Sequence, residues 1–235
     1  MLPYQLTMMR LSRMCLQRVT ARGNLLLYCL IQILPINGEP FDFGYWKKNW
    51  SECLEEHKII PDVIAKKPPN WLEACYVIYS VSYGNHLSQF YIDEPPNDMK
   101  WKHENDSEYF TALLTGPDAP VDFDPSEREW LHWLVVNIPG NNYRKGEVLT
   151  EYEAPGDCYA TGRHRYVFVV FKQPGNKKMK FHETTISKGE KDENRRAKFS
   201  TLGFAKKHGL GDPWAANFFI TDLDDLFSDD NIQPL

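Results

Sequence analysis

EWLHWLVVNIPGNN, Glu129–Asn142, is the most informative stretch of the chain. It is apolar, rich in β-branched and aromatic residues, and closed by a Pro-Gly-Asn-Asn turn, the composition of a buried strand. His132, set between two tryptophans, does not fit that description. A buried imidazole needs partners for its ring nitrogens, and a polar group left unpaired away from water costs roughly 1–3 kcal/mol. Either the fold satisfies His132 internally or the strand delivers it to a site.

Similar runs recur on both sides. CYVIYSV (Cys75–Val81), YFTALLT (Tyr109–Thr115), RYVFVVF (Arg165–Phe171, with the turn KQPGN after it) and WAANFFITDL (Trp214–Leu223) all read as strands. Phe41–Ile60 mixes aromatic and charged residues at near-helical spacing and predicts a helix. Phe199–Gly211 predicts a second, shorter one, with Ser200 or Thr201 as cap and Gly209 as a left-handed stop. Lys177–Arg196 reads as an exposed polar loop, and the acidic stretch from Asp222 onward as a frayed end. Mostly strands with helices at the periphery predicts a mainly β fold, a β-sandwich with peripheral α-helices.

Side chains two apart in a strand share a face. His132 is then expected beside Leu134, Val136 and Ile138, and His164 beside Tyr166, Phe168 and Val170. Each histidine becomes the polar end of an apolar stripe. The Pro- and Asp-rich loop between these strands supplies Asp118 as a neighbour. Two imidazoles and a carboxylate at the mouth of a core are binding-site chemistry, although histidines capping core strands and an aspartate making a turn would give the same pattern.

Composition sets the bounds. The chain has 235 residues, 42% of them apolar and 25% charged, with a net charge of −5. Residues 1–38 contain Arg10, Arg13, Arg18 and Arg22 and no Asp, Glu or Lys, so the body is more acidic than the net value. An acidic body argues against a general nucleic-acid partner. Leu25–Ile36 is an apolar block too short for a stable membrane span. Residues 1–38 are therefore expected to be a signal peptide or other targeting segment, secretory first and mitochondrial second, with an ordinary N-terminal helix as a third reading. Residues 39–235 are expected to form one domain and a monomer.

Sequons at Asn49 and Asn105 are expected to carry glycans if the chain is secreted. Cys53, Cys75 and Cys158 remain after the first segment. Cys53–Cys75 is the easier pair to imagine, leaving Cys158 a free thiol.

Five motifs then stand in a telling order: GPDAP (Gly116–Pro120), REWLHWLVVNIPG (Arg128–Gly140), GEVLTEY (Gly146–Tyr152), TGRHRYVFVVFKQPG (Thr161–Gly175) and FAKKHGLGDPWAANFF (Phe204–Phe219). This order and spacing resemble the phosphatidylethanolamine-binding protein (PEBP) family from about Ile59 to Asp225. The resemblance implies a β-sandwich with a small anion-binding pocket lined by Asp118, Ala119, Pro120, Trp130, His132, His164 and Tyr166. It implies no metal, no cofactor and no catalysis. His132 and His164 would donate to phosphate oxygens, Asp118 would orient a histidine or meet an ammonium, and Arg128 would buttress the loop. Binding would strengthen as pH falls through about 6.5, where free histidine titrates. The ligand class is a small anionic or amphipathic molecule, such as a phospholipid headgroup or a small hydrophobic compound.

Leu131-His132, where the family commonly has paired histidines, is similar to secreted arthropod members discussed as odorant carriers. The alternative function is a protein-interaction module, since family members elsewhere regulate kinases, inhibit proteases or sit in the mitochondrial ribosome. An enzymatic reading through Cys158, His164 and Asp118 has no motif behind it. The chain also departs from the family pattern. Gly116 replaces an aspartate, Gly156-Asp157-Cys158 replaces Gly-Pro-Pro, Glu127 replaces a tyrosine, and Glu153 replaces a small apolar residue. These changes remove an inner carboxylate and add acid at the rim.

Overall fold

The structure is a computed structural model that describes residues 43–77, 79–121, 123–156, 162–189 and 195–223. Three α-helices are described: α1 (Phe43–Glu56), α2 (Ile59–Asp62) and α3 (Thr201–His208). Nine strands follow in order: β1 (Asn70–Tyr76), β2 (Tyr79–Ser80), β3 (Asn85–His86), β4 (Asp98–Trp101), β5 (Tyr109–Gly116), β6 (Trp130–Pro139), β7 (Glu147–Thr150), β8 (Arg163–Lys172) and β9 (Ala215–Asp222).

The strands form one connected nine-stranded sheet with the path β2-β1-β9-β8-β5-β6-β7, β3 pairing with β9 and β4 with β1. The mainly β architecture with few helices is as expected, but the sheet is mixed and continuous rather than two separate layers. The reason lies in β1. It runs parallel to β9 only at Asn70 and Trp71, then pairs antiparallel with β4 over Leu72–Cys75 and with β2 over Cys75–Tyr76. A single strand thus carries the hydrogen-bond ladder from the long central strands into a small β4-β1-β2 array.

The central strands are buried on both faces. One core gathers Leu72, Tyr76, Met99 and Trp101 from the small array against Leu114, Trp133, Tyr166, Phe168 and Phe219. The other gathers Leu54, Ile59 and Phe204 from the helical side against Leu134, Val136, Val167, Val169 and Phe218. Each fully buried side chain of this kind contributes roughly 1.5–3 kcal/mol. Double-sided burial explains why β5, β6 and β8 read as continuous apolar runs.

The long strands lie where the sequence predicts them. Cys75–Val81 does not form one strand. The chain turns at Val77, where φ is 51°, and splits the run between β1 and β2. For α3, Ser200 Oγ accepts from Gly203 N–H at 3.0 Å, and Gly209 at φ 63° ends the helix, as the cap residues predict. Cys53 packs toward the helical core and Cys75 lies within β1, its sulfur 3.4 Å from Ser80 Oγ. No disulfide joins them, so the pair that the sequence made easier to imagine does not form. Asn105 is exposed in the loop before β5, whereas the Asn49 side chain, residues 1–38, Asp157, Cys158 and the acidic end from Asp224 lie outside the described residues. Among the described residues no helix is long and apolar enough to cross a membrane.

Candidate functional site

Strict alternation holds along β8 and fails along β6. On β8, Tyr166, Phe168 and Val170 share one core and Val167, Val169 and Phe171 the other. On β6, Leu131, Leu134 and Val136 face the helical core, while Trp133, Val135 and Ile138 face the opposite one. His132 therefore does not share a face with Leu134 and Val136. The cause is a register shift: Leu114 pairs with Trp133 but Thr115 pairs with Leu131, leaving His132 as the extra residue of a β-bulge. A second shift lies between Phe110 and Ala112, near Asn137, whose φ is 56°. Bulges re-aim side chains. This one turns His132 onto the same side as Tyr166, with ring centroids 5.2 Å apart in an edge-on arrangement. His164 lies over the same tyrosine, centroids 6.3 Å apart and nearly parallel, and Tyr166 stacks in turn on Phe219 at 5.3 Å. Two imidazoles thus flank one phenol ring beside Gly116, where a Cβ would lie 3.2 Å from His132 Nε2 and 3.6 Å from the Tyr166 ring.

His132 is 6% exposed, and its Nδ1 sits 3.0 Å from the Glu153 carbonyl oxygen. A carbonyl only accepts, so Nδ1 carries the hydrogen. Burial pulls the imidazole down to about 3, with the Glu153 carbonyl opposing and the positive charge of Arg196 lowering it further. His132 is thus held neutral across the physiological range. The expectation that it charges near pH 6.5 and donates to an anion does not survive this burial.

Trp130, half-buried, donates its indole N–H to Glu153 Oε2 at 2.9 Å. The same oxygen lies 3.3 Å from Arg196 Nε. Glu153 is therefore a paired, largely buried carboxylate rather than a solvated rim charge. Asp118 is buried, but its carboxylate faces Arg165 and not the histidines. It accepts from the Arg165 backbone N–H at 2.9 Å and from Arg165 Nε at 2.9 Å. Asp62 joins this network through Arg165 Nη2 at 3.1 Å, and Arg128 Nη2 stands 3.5 Å from Asp62. Arg165 neighbours His164 and Tyr166 in sequence, so alternation sends it to the opposite face and takes Asp118 with it. Arg128 Nε donates to the Pro117 carbonyl at 2.6 Å, a buttress for the loop. Ala119 and Pro120, joined by a cis peptide, are half-buried, and the Ala119 carbonyl accepts from Glu127 N–H at 3.1 Å. The structure thus gathers Trp130, His132, His164 and Tyr166 around Glu153 and Gly116, and directs the Asp118 carboxylate elsewhere.

With this geometry in place, the comparisons are specific. The sequence profile of the phosphatidylethanolamine-binding protein family matches residues 79–219. The chain belongs to the phosphatidylethanolamine-binding protein family. Over 173 residues it is 30% identical to "Putative odorant-binding protein A5" of Drosophila melanogaster, covering 73% of this chain and 80% of that protein. Its fold is like that of the carboxypeptidase Y inhibitor solved with its cognate proteinase, with a TM-score of 0.62, 23% identity, and coverage of 74% of this chain and 95% of the other. The phosphatidylethanolamine-binding protein from Plasmodium vivax superposes with a TM-score of 0.55 at 19% identity, covering 73% and 96%.

Within the family frame, one residue escaped the sequence reading. Arg196 ends the segment expected to be an exposed loop, yet it is 2% exposed. It donates through Nη1 to the Leu131 carbonyl at 3.0 Å and through Nη2 to that of Glu151 at 3.1 Å. The only trace of this in the sequence is a carboxylate, Glu153, placed where the family has an apolar residue. Separately, a cleft of about 570 Å³ opens over Trp133, Tyr143 and Tyr152, with Arg144 and Lys188 at its rim, and none of the candidate residues lines it.

Proposed function

We propose that this chain is a secreted, non-catalytic binding protein for a small amphipathic ligand, taken by its polar head at the compartment of His132, His164 and Tyr166. The observation that carries this reading is the bulge at His132. It places a ring nitrogen beside Gly116, at the end of an aromatic stack. A strand that needed His132 only for packing has no use for a register shift that turns it out of the apolar stripe. The head is recognised by the imidazoles and the tail by the Trp130 and Tyr166 faces. Family membership and the relative named for odorant binding support a carrier role.

Native mass spectrometry of the protein purified from its source tests this. A retained small molecule, lost from a Tyr166→Ala variant that still folds, is expected. Protein that carries nothing, and whose His132, His164 and Tyr166 resonances do not move with any amphiphile, would end the proposal.

A further inference from the structure

We infer that the polar head is a neutral hydroxyl, which donates its hydrogen bond to the Nε2 lone pair of His132. The inference rests on the binding site proposed above and names the chemistry of its ligand. With Nδ1 holding the single hydrogen for the Glu153 carbonyl, Nε2 is an acceptor only. Among the described residues Nε2 has no hydrogen-bond partner, and it is not among their sealed, unpartnered polar atoms. It stands 3.2 Å from where a Cβ on Gly116 would lie, so the missing side chain leaves the nitrogen uncovered on that side. What His132 offers a ligand head is therefore a lone pair, and a lone pair calls for a donor.

The charges around the site decide which donor. Glu153, whose backbone carbonyl holds the histidine ring, turns its carboxylate to Arg196 and the Trp130 indole. Asp118 is tied to Arg165 on the other side of the sheet. Both of these carboxylates are already paired with arginine, so an ammonium head gains little from them, and at His132 Nε2 a phosphate or carboxylate head would meet a lone pair instead of a donor. Desolvating either charge without a partner is far costlier than desolvating a hydroxyl that gains a hydrogen bond. The loss of the family aspartate at Gly116 and the gain of Glu153 thus act together. They convert a site that the resemblance reads as anion-binding into one that accepts.

The test is an NMR titration of the isotope-labelled full chain at pH 7 with 1-octanol, octanoate and octylammonium, which share a tail and differ in head. Octanol should bind about ten-fold tighter than either charged probe, about 1.4 kcal/mol, and should shift the His132 Nε2 resonance. His132→Phe should lose that preference. Octanoate or octylammonium binding as tightly as octanol overturns the inference but leaves the proposed site intact. Failure of all three to bind overturns both. If His132→Phe does not fold, the ranking of heads on the wild type and the Nε2 response to octanol decide alone.

Discussion

His132 and Glu153 are bonded to each other twice. The Glu153 N–H donates to the His132 carbonyl at 2.9 Å, and the His132 Nδ1–H donates to the Glu153 carbonyl, 3.0 Å away. Backbone position, ring orientation and tautomer of the histidine are therefore set by one residue. That residue is itself fixed through its carboxylate by Trp130 and Arg196. The chain from Arg196 through Glu153 to His132 is what gives the site its polarity.

Glu153→Gln keeps an acceptor for the Trp130 indole but removes the charge facing Arg196. Urea denaturation should show a loss of about 1–3 kcal/mol, the range for losing a charged hydrogen-bond partner at a buried group. A variant as stable as wild type would mean that the Arg196 bonds to backbone carbonyls suffice.

Two buried groups give opposite pH dependences. Burial lifts the Glu129 carboxyl to about 7, although the Thr201 N–H and hydroxyl favour its ionised form. Its folded-state pKa is raised, so its contribution is present below about 4.5 and lost as pH rises through about 7. The His132 value is depressed, so its contribution is present above about 6.5 and lost as pH falls toward about 3. Between pH 4.5 and 6.5 the two slopes oppose each other. Glu129→Gln should remove the opposing slope, with stability rising by up to about 1.4 kcal/mol per pH unit across that window. Denaturation midpoints at three pH values check it. A flat Glu129→Gln profile would mean that His132 is not the neutral buried group described.

The strands were legible in the sequence because double-sided burial writes itself as unbroken apolar runs, and α3 because Ser200 and Gly209 are strong local signals. The bulge at His132 was not. Register depends on the facing strand, and nothing between Leu131 and Leu134 marks an extra residue. Nor was the turn at Val77, a β-branched residue in a left-handed conformation that local preference argues against. Asp118 was assigned to the pocket from its loop position and the family resemblance, and its partner Arg165 could be read only by following alternation from His164 to the other face. His164 and Tyr166 were legible because β8 keeps strict alternation. Arg196 was hidden because a buried arginine looks, in sequence, like any loop charge.

Gly116→Asp restores the family carboxylate. Its Cβ would press on His132 Nε2 at 3.2 Å, a tight but polar approach. A carboxylate there favours the charged imidazole, so His132 should titrate well above its value of about 3, and the preference for a hydroxyl head should fall. Crowding should cost about 1–3 kcal/mol of stability. The His132 ring-carbon chemical shift followed against pH measures the first effect. An unmoved midpoint would show that the new side chain turns away from the ring.

Arg196 anchors what the sequence placed in solvent. Its guanidinium bonds the carbonyls of Leu131 and His132 on β6, of Glu151 after β7, and of Ser187 in the segment that follows Ile186. One planar fork therefore joins the bulge, the strand edge and the covering segment, and it places positive charge against His132. Arg196→Lys retains the charge but has no fork to reach several carbonyls at once. Arg196→Met removes the donors, leaving the carboxylate of Glu153 without its cation, at a cost of about 3–5 kcal/mol for breaking a buried pair. Lysine should be intermediate. If the role were only bulk packing, Met and Lys would be equivalent and the His132 resonances would stay in place. The expected result is that both variants shift the His132 signals, Met more than Lys, with urea midpoints in the order wild type, Lys, Met.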